Sequence, residues 1–176
     1  VFREEVEAAG ASFDDVVAFV VQPGVEFGDD FVFQYNRANA SLLTEALKGY
    51  HPLVFEGHST DYQTQTSLTQ MVEDGIRILK VGPALTFGLR EALLLAEEVE
   101  TLIISDPKKR SGFKKAIISE MDASDKYWKK YYSGSDEEIN YKKLFSYSDR
   151  CRYYLPSKSV QSSIDILLNN LSTIHV

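Results

Sequence analysis

The chain has 176 residues, 44% of them hydrophobic, and a formal charge of −7, a composition that supports a sizeable buried core and argues for a folded globular domain against a disordered chain. Its single cysteine, Cys151, excludes an intrachain disulfide and fits a reducing cytoplasm. No apolar run reaches the roughly 18 residues a membrane helix needs, and no secretory signal opens the chain, so a membrane partner is not expected.

The charge is unevenly spread. Residues 1–100 hold 17 acids and 6 bases, whereas residues 101–176 hold 9 acids and 13 bases. In the basic half the cations sit among acids and helix formers, as in "DPKKRSGFKKAIISEMDASDKYWKKYY". That pattern describes solvated helix faces, not a nucleic-acid-binding arm. The opening stretch, "VFREEVEAAG", lacks an initiator methionine and starts as if inside a helix. Such a start is expected of a piece of a longer protein.

Three short apolar segments follow in chain order: "VVAFVV" (Val16–Val21), "PLVFEG" (Pro52–Gly57) and "IRILKVG" (Ile76–Gly82). Each is rich in β-branched or aromatic residues and is followed by a helical pattern, so each is predicted to be a strand. They read as apolar throughout, as expected for strands covered on both faces. The first intervening helix, "NASLLTEALKGY", is predicted to start at a cap on Asn39 or Ser41, and "TQTSLTQMVEDG" to end on Gly75. "PALTFGLREALLLAEEVETLII" opens with Pro83 near its first turn and repeats apolar residues at helical spacing. Alternating strands and helices predict parallel βα units over residues 1–105.

From residue 106 to 176 only helices are predicted: "SGFKKAIISEMDAS", "DKYWKKYY", "EEINYKKLF" and "SKSVQSSIDILLNNLSTI", with "SYSDRCRYYLP" as a connection. Three βα units neither close a barrel nor make a good open sheet, so further strands are expected outside the chain.

The loops leaving the carboxyl ends of parallel strands build the sites of α/β folds. Here those loops are "QPGVEFGDD", "EGHSTDYQ" and "KVGPALT", which would gather Gln22, Glu26, Glu56, His58, Ser59, Asp61, Tyr62, Gln63, Lys80 and Thr86. A carboxylate, an imidazole, an amide and an ammonium suit a hydroxylated, anionic or metal-bound small molecule. His58 has two readings: a hydrogen bond to a neighbouring loop, or a metal ligand or acid/base group among Glu56, Asp61 and Tyr62. Lys80 likewise reads as an ion pair with Glu56 or Asp61, or as a contact to a substrate phosphate. His51, before its strand, and His175, near the terminus, read as structural or solvated. Trp128, with Tyr127, Tyr131 and Tyr132, reads as a packing face. Neither Gly-x-x-x-x-Gly-Lys-Ser/Thr nor Gly-x-Gly-x-x-Gly occurs, so no nucleotide-phosphate loop is present in this sequence.

Taken together, "VVQPGVEF", "EGHSTDYQT", "ILKVGPALTFGLREAL", "YWKKYY" and "SYSDRCRYYLP" closely resemble the non-catalytic, accessory subunit of class II tagatose-1,6-bisphosphate aldolase, a family also labelled tagatose 6-phosphate kinase. The resemblance runs from about Val16 to Leu171. It implies a (β/α)8 TIM barrel related to class II aldolases, of which this chain is a C-terminal part of about three βα units plus a helical region.

It also implies roles. The last metal histidine of those aldolases lies in a loop that "EGHSTDYQ" resembles, which places a divalent metal such as zinc or manganese on His58. Their Lys-Ile/Val-Asn strand end, which seats the substrate phosphate, is similar to "KVG", placing Lys80 in the site with Gly82 in place of the asparagine. An earlier metal histidine falls where this chain reads "QPGVEFG", leaving Gln22 or Glu26 to substitute. The resulting assignment makes Glu26 and Asp61 catalytic, His58 a metal ligand, and Gln22, Ser59, Tyr62, Gln63 and Lys80 substrate-binding. The implied ligand is a sugar or sugar phosphate. The implied partners are the catalytic aldolase subunit or a second copy of the chain. Relatives of the family are described as ketose 4-epimerases, which gives an enzymatic alternative to the accessory role; kinase activity is discounted.

Overall fold

The computed structural model describes residues 1–172; His175 lies outside the described residues. The chain divides into two compact units, one made of Val1–Phe27 and Val32–Gly82, the other of Gly28–Phe31 and the chain from Pro83 onward.

In the first unit, helix α1 (Phe2–Ala8) is followed by strand β1 (Ala18–Val21) and a two-residue antiparallel pair, β2 (Glu26–Phe27) and β3 (Val32–Phe33). Helix α2 (Arg37–Leu47), strand β4 (Val54–Gly57), helix α3 (Gln65–Glu73) and strand β5 (Ile76–Leu79) complete it. The three longer strands form one parallel sheet in the order β1-β4-β5, as their βα spacing predicts. Among the described residues neither β1 nor β5 pairs with a further strand at its outer edge. The α2 cap is Asn36, whose side chain accepts from the Asn39 N–H at 3.1 Å, so the helix starts earlier than an Asn39 or Ser41 cap would place it. Thr64 caps α3 in the same way.

Register explains the core. Phe19, Phe55 and Ile76 lie level on one face, where they pack with Leu43 and Leu47 of α2 and Leu68 and Met71 of α3. The other face carries Val20, Glu56 and Ile78 in register, and Val20 is 60% and Ile78 39% exposed. Within this unit one face of the strands is covered, and Val20 and Ile78 lie on the other. A register shift makes Arg77 the extra residue of β5. Gly57 is required by close approach, because a Cβ there would sit 2.8 Å from the Ile76 side chain.

The second unit is helical, with α4 (Ala84–Ile103), α5 (Phe113–Ala123), α6 (Asp136–Phe145) and α7 (Lys158–Ser172), and no strand among its described residues. Its core joins Leu93, Phe113, Ile117, Met121, Leu144, Val160 and Leu167. "DKYWKKYY" is a succession of turns and not the predicted helix. Four aromatics in eight residues give a short segment weak helical preference, and nucleating a helix that short is costly. Tertiary anchors decide its path: Tyr132 is buried, and the Trp128 indole donates to the Met121 carbonyl at 2.8 Å. Trp128 and Tyr127 pack against the core, as the aromatic spacing predicts.

Two buried carboxylates tie this unit together. Glu100 accepts from the Ser111 amide at 2.9 and 3.0 Å, from its hydroxyl at 2.6 Å and from the Asn170 amide at 2.6 Å. Asp149 pairs with the Arg90 guanidinium at 2.5 Å, and both side chains are fully buried. Thr86 also donates to Asp149, at 2.5 Å.

Asp149→Asn retains a side chain that tolerates the left-handed backbone at this position (φ 46), so its cost reads the lost charge. We expect a loss of about 3–5 kcal/mol in denaturant unfolding, because Arg90 is left buried without its counter-charge. Burial, reinforced by the Asp149 carboxylate, pushes the Cys151 thiol up to about 12. A raised value means that the protonated thiol is the form the fold favours. Its contribution is complete below the ordinary thiol pKa of about 8.5 and is lost as pH rises from there towards about 12. Native protein at about pH 8 should therefore resist a thiol-labelling reagent and react once unfolded.

Candidate functional site

The three parallel strands end side by side, and the ladder runs one residue past each end. His58 N–H donates to the Val21 carbonyl at 3.1 Å and Lys80 N–H to the Gly57 carbonyl at 3.0 Å. Gln22, His58 and Lys80, each the residue that follows β1, β4 or β5, are thereby set at one end of one sheet.

The polar stretch after β4 does two jobs. Ser59 (φ 55) and Tyr62 (φ 61) adopt left-handed backbone, a conformation that costs roughly 1–3 kcal/mol for a non-glycine residue and persists where surrounding contacts impose it. Between them Thr60 and Asp61 are tucked inward, 3% and 2% exposed. Thr60 donates to the Lys80 carbonyl at 3.0 Å, and the Asp61 carboxylate accepts from Gly82 N–H at 2.9 and 3.0 Å. The loop is thus tied to the end of the next strand. Gln63 faces the other way: its oxygen accepts from Tyr35 N–H at 2.8 Å and its amide donates to the Phe33 carbonyl at 2.9 Å. Gln34 completes the frame, donating to the Tyr62 carbonyl at 3.1 Å and accepting from Thr64 N–H at 3.0 Å. The Tyr62 ring meets Phe27 edge-on at 5.4 Å.

Ser59 and His58 stay half-exposed. His58 Nε2 lies 3.1 Å from a Glu56 carboxylate oxygen. Both sequence readings of His58 are compatible with this contact. Gln22 donates to the Glu26 carboxylate and to the Val25 carbonyl, both at 2.9 Å, while Phe27 N–H reaches the other Glu26 oxygen at 3.0 Å. Glu26 therefore folds back on its own hairpin. Lys80 is solvent-exposed and, among the described residues, is not paired with Glu56 or Asp61, which corrects the buried ion pair that its place in an apolar strand predicts. Thr86 belongs to α4 in the second unit, bonded to Asp149.

Sequence reasoning gave no role to Thr60 or Gln34. Nothing local marks either one: their partners lie 20, 28 and 30 residues away. A cavity of about 500 Å³ opens at the other ends of the strands, among Lys48, His51, Leu53, Glu73 and Arg77. Its charged groups are largely engaged, Lys48 with Glu45 at 2.5 Å and Glu73 with Arg37 at 2.6 Å. The strand-end loops carry the better constellation.

A catalytic zinc takes three protein donors. Among the described residues no group of three or more His, Cys, Asp or Glu side chains is arranged to hold a metal ion. His58 and Glu56 offer two donors, so these residues do not by themselves complete a metal site. No described helix is long and apolar enough to cross a membrane.

A family model described as D-tagatose-1,6-bisphosphate aldolase subunit GatZ/KbaZ-like matches residues 1–176. The crystal structure of a probable tagatose 6 phosphate kinase from Sinorhizobium meliloti 1021 is similar, with a TM-score of 0.91 and 45% identity over 98% of this chain. The chain spans 44% of the length of that relative.

Asp61→Ala removes the buried acceptor of the Gly82 amide, so stability should fall by about 1.5–3 kcal/mol in denaturant unfolding, the range for a hydrogen bond to a charged group. Lys80→Ala, at an exposed position, should change stability by no more than about 0.5 kcal/mol.

Proposed function

The chain belongs to the D-tagatose-1,6-bisphosphate aldolase subunit GatZ/KbaZ-like family, and on that premise we propose that it carries the ketose-phosphate-binding loops of an aldolase accessory subunit. The observation that carries this reading is the alignment of Gln22, His58 and Lys80 at the carboxyl ends of three adjacent parallel strands. In this reading β1, β4 and β5 are an arc of a (β/α)8 barrel related to class II aldolases. Lys80 contacts the phosphate as an exposed cation, and Gln22, Ser59 and Tyr62 meet the sugar hydroxyls. Gln63 and Asp61 hold the loop that presents them. The partner is the catalytic tagatose-bisphosphate aldolase subunit. In this accessory reading a divalent metal would take His58 as one donor, with the rest of its set outside the described residues; with Nε2 against Glu56 that role excludes the base role of the second reading. The kinase description of the solved relative finds no nucleotide-phosphate loop in this sequence.

A second reading, a ketohexose 4-epimerase, is favoured by the Glu56–His58 contact at 3.1 Å, since a carboxylate-bound imidazole is a proton-transfer device. Epimerisation at carbon 4 can proceed by cleavage of the bond between carbons 3 and 4. A base removes the proton of the 4-hydroxyl, that carbon becomes an aldehyde, and the bonding pair passes into an enediolate on carbons 2 and 3. Rotation of the aldehyde and re-addition to its other face return the proton and invert carbon 4. His58 is the base in this scheme, and the loop bearing Ser59 and Tyr62 retains the aldehyde.

Two measurements on the purified protein decide between the readings. Calorimetric titration with tagatose 6-phosphate should show binding that Lys80→Ala weakens about tenfold or more, about 1.4 kcal/mol. Conversion of tagatose 6-phosphate to fructose 6-phosphate, without aldolase and with divalent metal supplied, should fall about 10²- to 10⁴-fold in His58→Ala if His58 is the base. Binding without conversion by the wild type leaves the accessory reading. Absence of both rejects the ketose-phosphate site.

A further inference from the structure

Glu56 stands inside β4, level with Val20 on β1 and Ile78 on β5, on the face opposite the Phe19, Phe55 and Ile76 core. It is the charged member of that level, flanked by two apolar residues. Its hydrogen-bond partner is Nε2 of His58 at 3.1 Å, and the two side chains are 29% and 35% exposed. If Nε2 donates to the Glu56 carboxylate, a ring that carries one proton has Nδ1 as its acceptor nitrogen. The backbone adds a second restraint, because the His58 amide is fixed to the Val21 carbonyl at 3.1 Å. Main chain and one ring nitrogen are both held, from strands that are themselves paired.

We propose that Glu56 is the positioning residue of the site: it fixes the tautomer and ring orientation of His58 so that Nδ1 is the atom that meets the hydroxyl group of a ketose phosphate. The inference rests on the 4-epimerase reading of the strand ends, and it adds a residue that acts through His58 without touching substrate. Glu56 sits on a strand and not on a loop, which makes the orientation as rigid as the sheet.

The test has a spectroscopic arm and a kinetic arm. Long-range proton–nitrogen correlation spectra of histidine-labelled protein at about pH 8, above the ordinary imidazole range, report which ring nitrogen is protonated. The His58 signals are assigned by their loss in His58→Ala. The wild type should show a protonated Nε2 whose proton exchanges slowly with water, and an unprotonated Nδ1. In Glu56→Ala that slow exchange should disappear, and Glu56→Gln should retain it because an amide oxygen also accepts. A wild-type ring protonated on Nδ1, or an Nε2 proton equally protected in Glu56→Ala, overturns the proposal. Should Glu56→Ala fail to fold by circular dichroism, the wild-type and Glu56→Gln spectra decide. In the kinetic arm, kcat for tagatose 6-phosphate conversion should drop about 10- to 100-fold in Glu56→Ala with KM little changed, and recover in part in Glu56→Gln. An unchanged kcat overturns the positioning role. A wild type that converts nothing, yet shows the protected Nε2 proton, overturns the epimerase reading and supports the Glu56–His58 geometry.

Discussion

Everything chemical in the first unit depends on the parallel ladder of β1, β4 and β5. Parallel pairing forces the carboxyl ends of all three strands to face one way, and the extra bonds at His58 and Lys80 carry that alignment into the loops. A side chain at a strand end inherits its position from backbone hydrogen bonds and not from its own contacts. Gln22, His58 and Lys80 can therefore remain half-exposed or exposed and still be placed side by side. The glycine at position 57 serves the same ladder, because the Ile76 and Met71 side chains occupy the space a Cβ would need.

The dense polar chemistry of "EGHSTDYQT" divides by direction. Thr60, Asp61, Gln63 and Thr64 turn toward backbone groups of neighbouring segments, satisfying donors and acceptors that the break after β4 leaves open. His58 and Ser59 remain outside that frame. The left-handed residues Ser59 and Tyr62 flank the two inward-turned ones, Thr60 and Asp61. A rigid frame of backbone bonds around two presented groups is the construction expected where a ligand must meet atoms held within a fraction of an ångström.

The helical unit is held by different means. Its apolar core is continuous, yet two carboxylates, Glu100 and Asp149, are buried within it and satisfied by groups from distant parts of the chain. A buried ion pair adds little net stability over an apolar replacement but is severely destabilising when half of it is lost. Such a pair specifies which segments meet. Asp149 joins Arg90 and Thr86 of α4 to the turn that carries Cys151.

Much of this was legible in the residues. Helical periodicity announced α2, α3, α4, α5, α6 and α7, because amphipathic spacing reports a one-sided burial that the fold then supplies. The three apolar runs announced strands, and their alternation with helices announced parallel pairing. Tertiary structure decided the rest, for reasons of distance along the chain. The two-residue strands β2 and β3 have no periodicity to read. "YWKKYY" follows its buried aromatics and not its helical spacing. Composition does not say which face of a strand meets α2 and α3; register decides that, and puts Phe19, Phe55 and Ile76 there and Val20 and Ile78 on the other side. Above all, the sequence placed a carboxylate two residues before a histidine, while only the pleat and register of β4 brought Glu56 and His58 onto the same side at hydrogen-bond distance. In a strand, residues two apart share a face. Whether such a pair meets is settled by the backbone that continues past the strand end, and here the bond from His58 to Val21 supplies it.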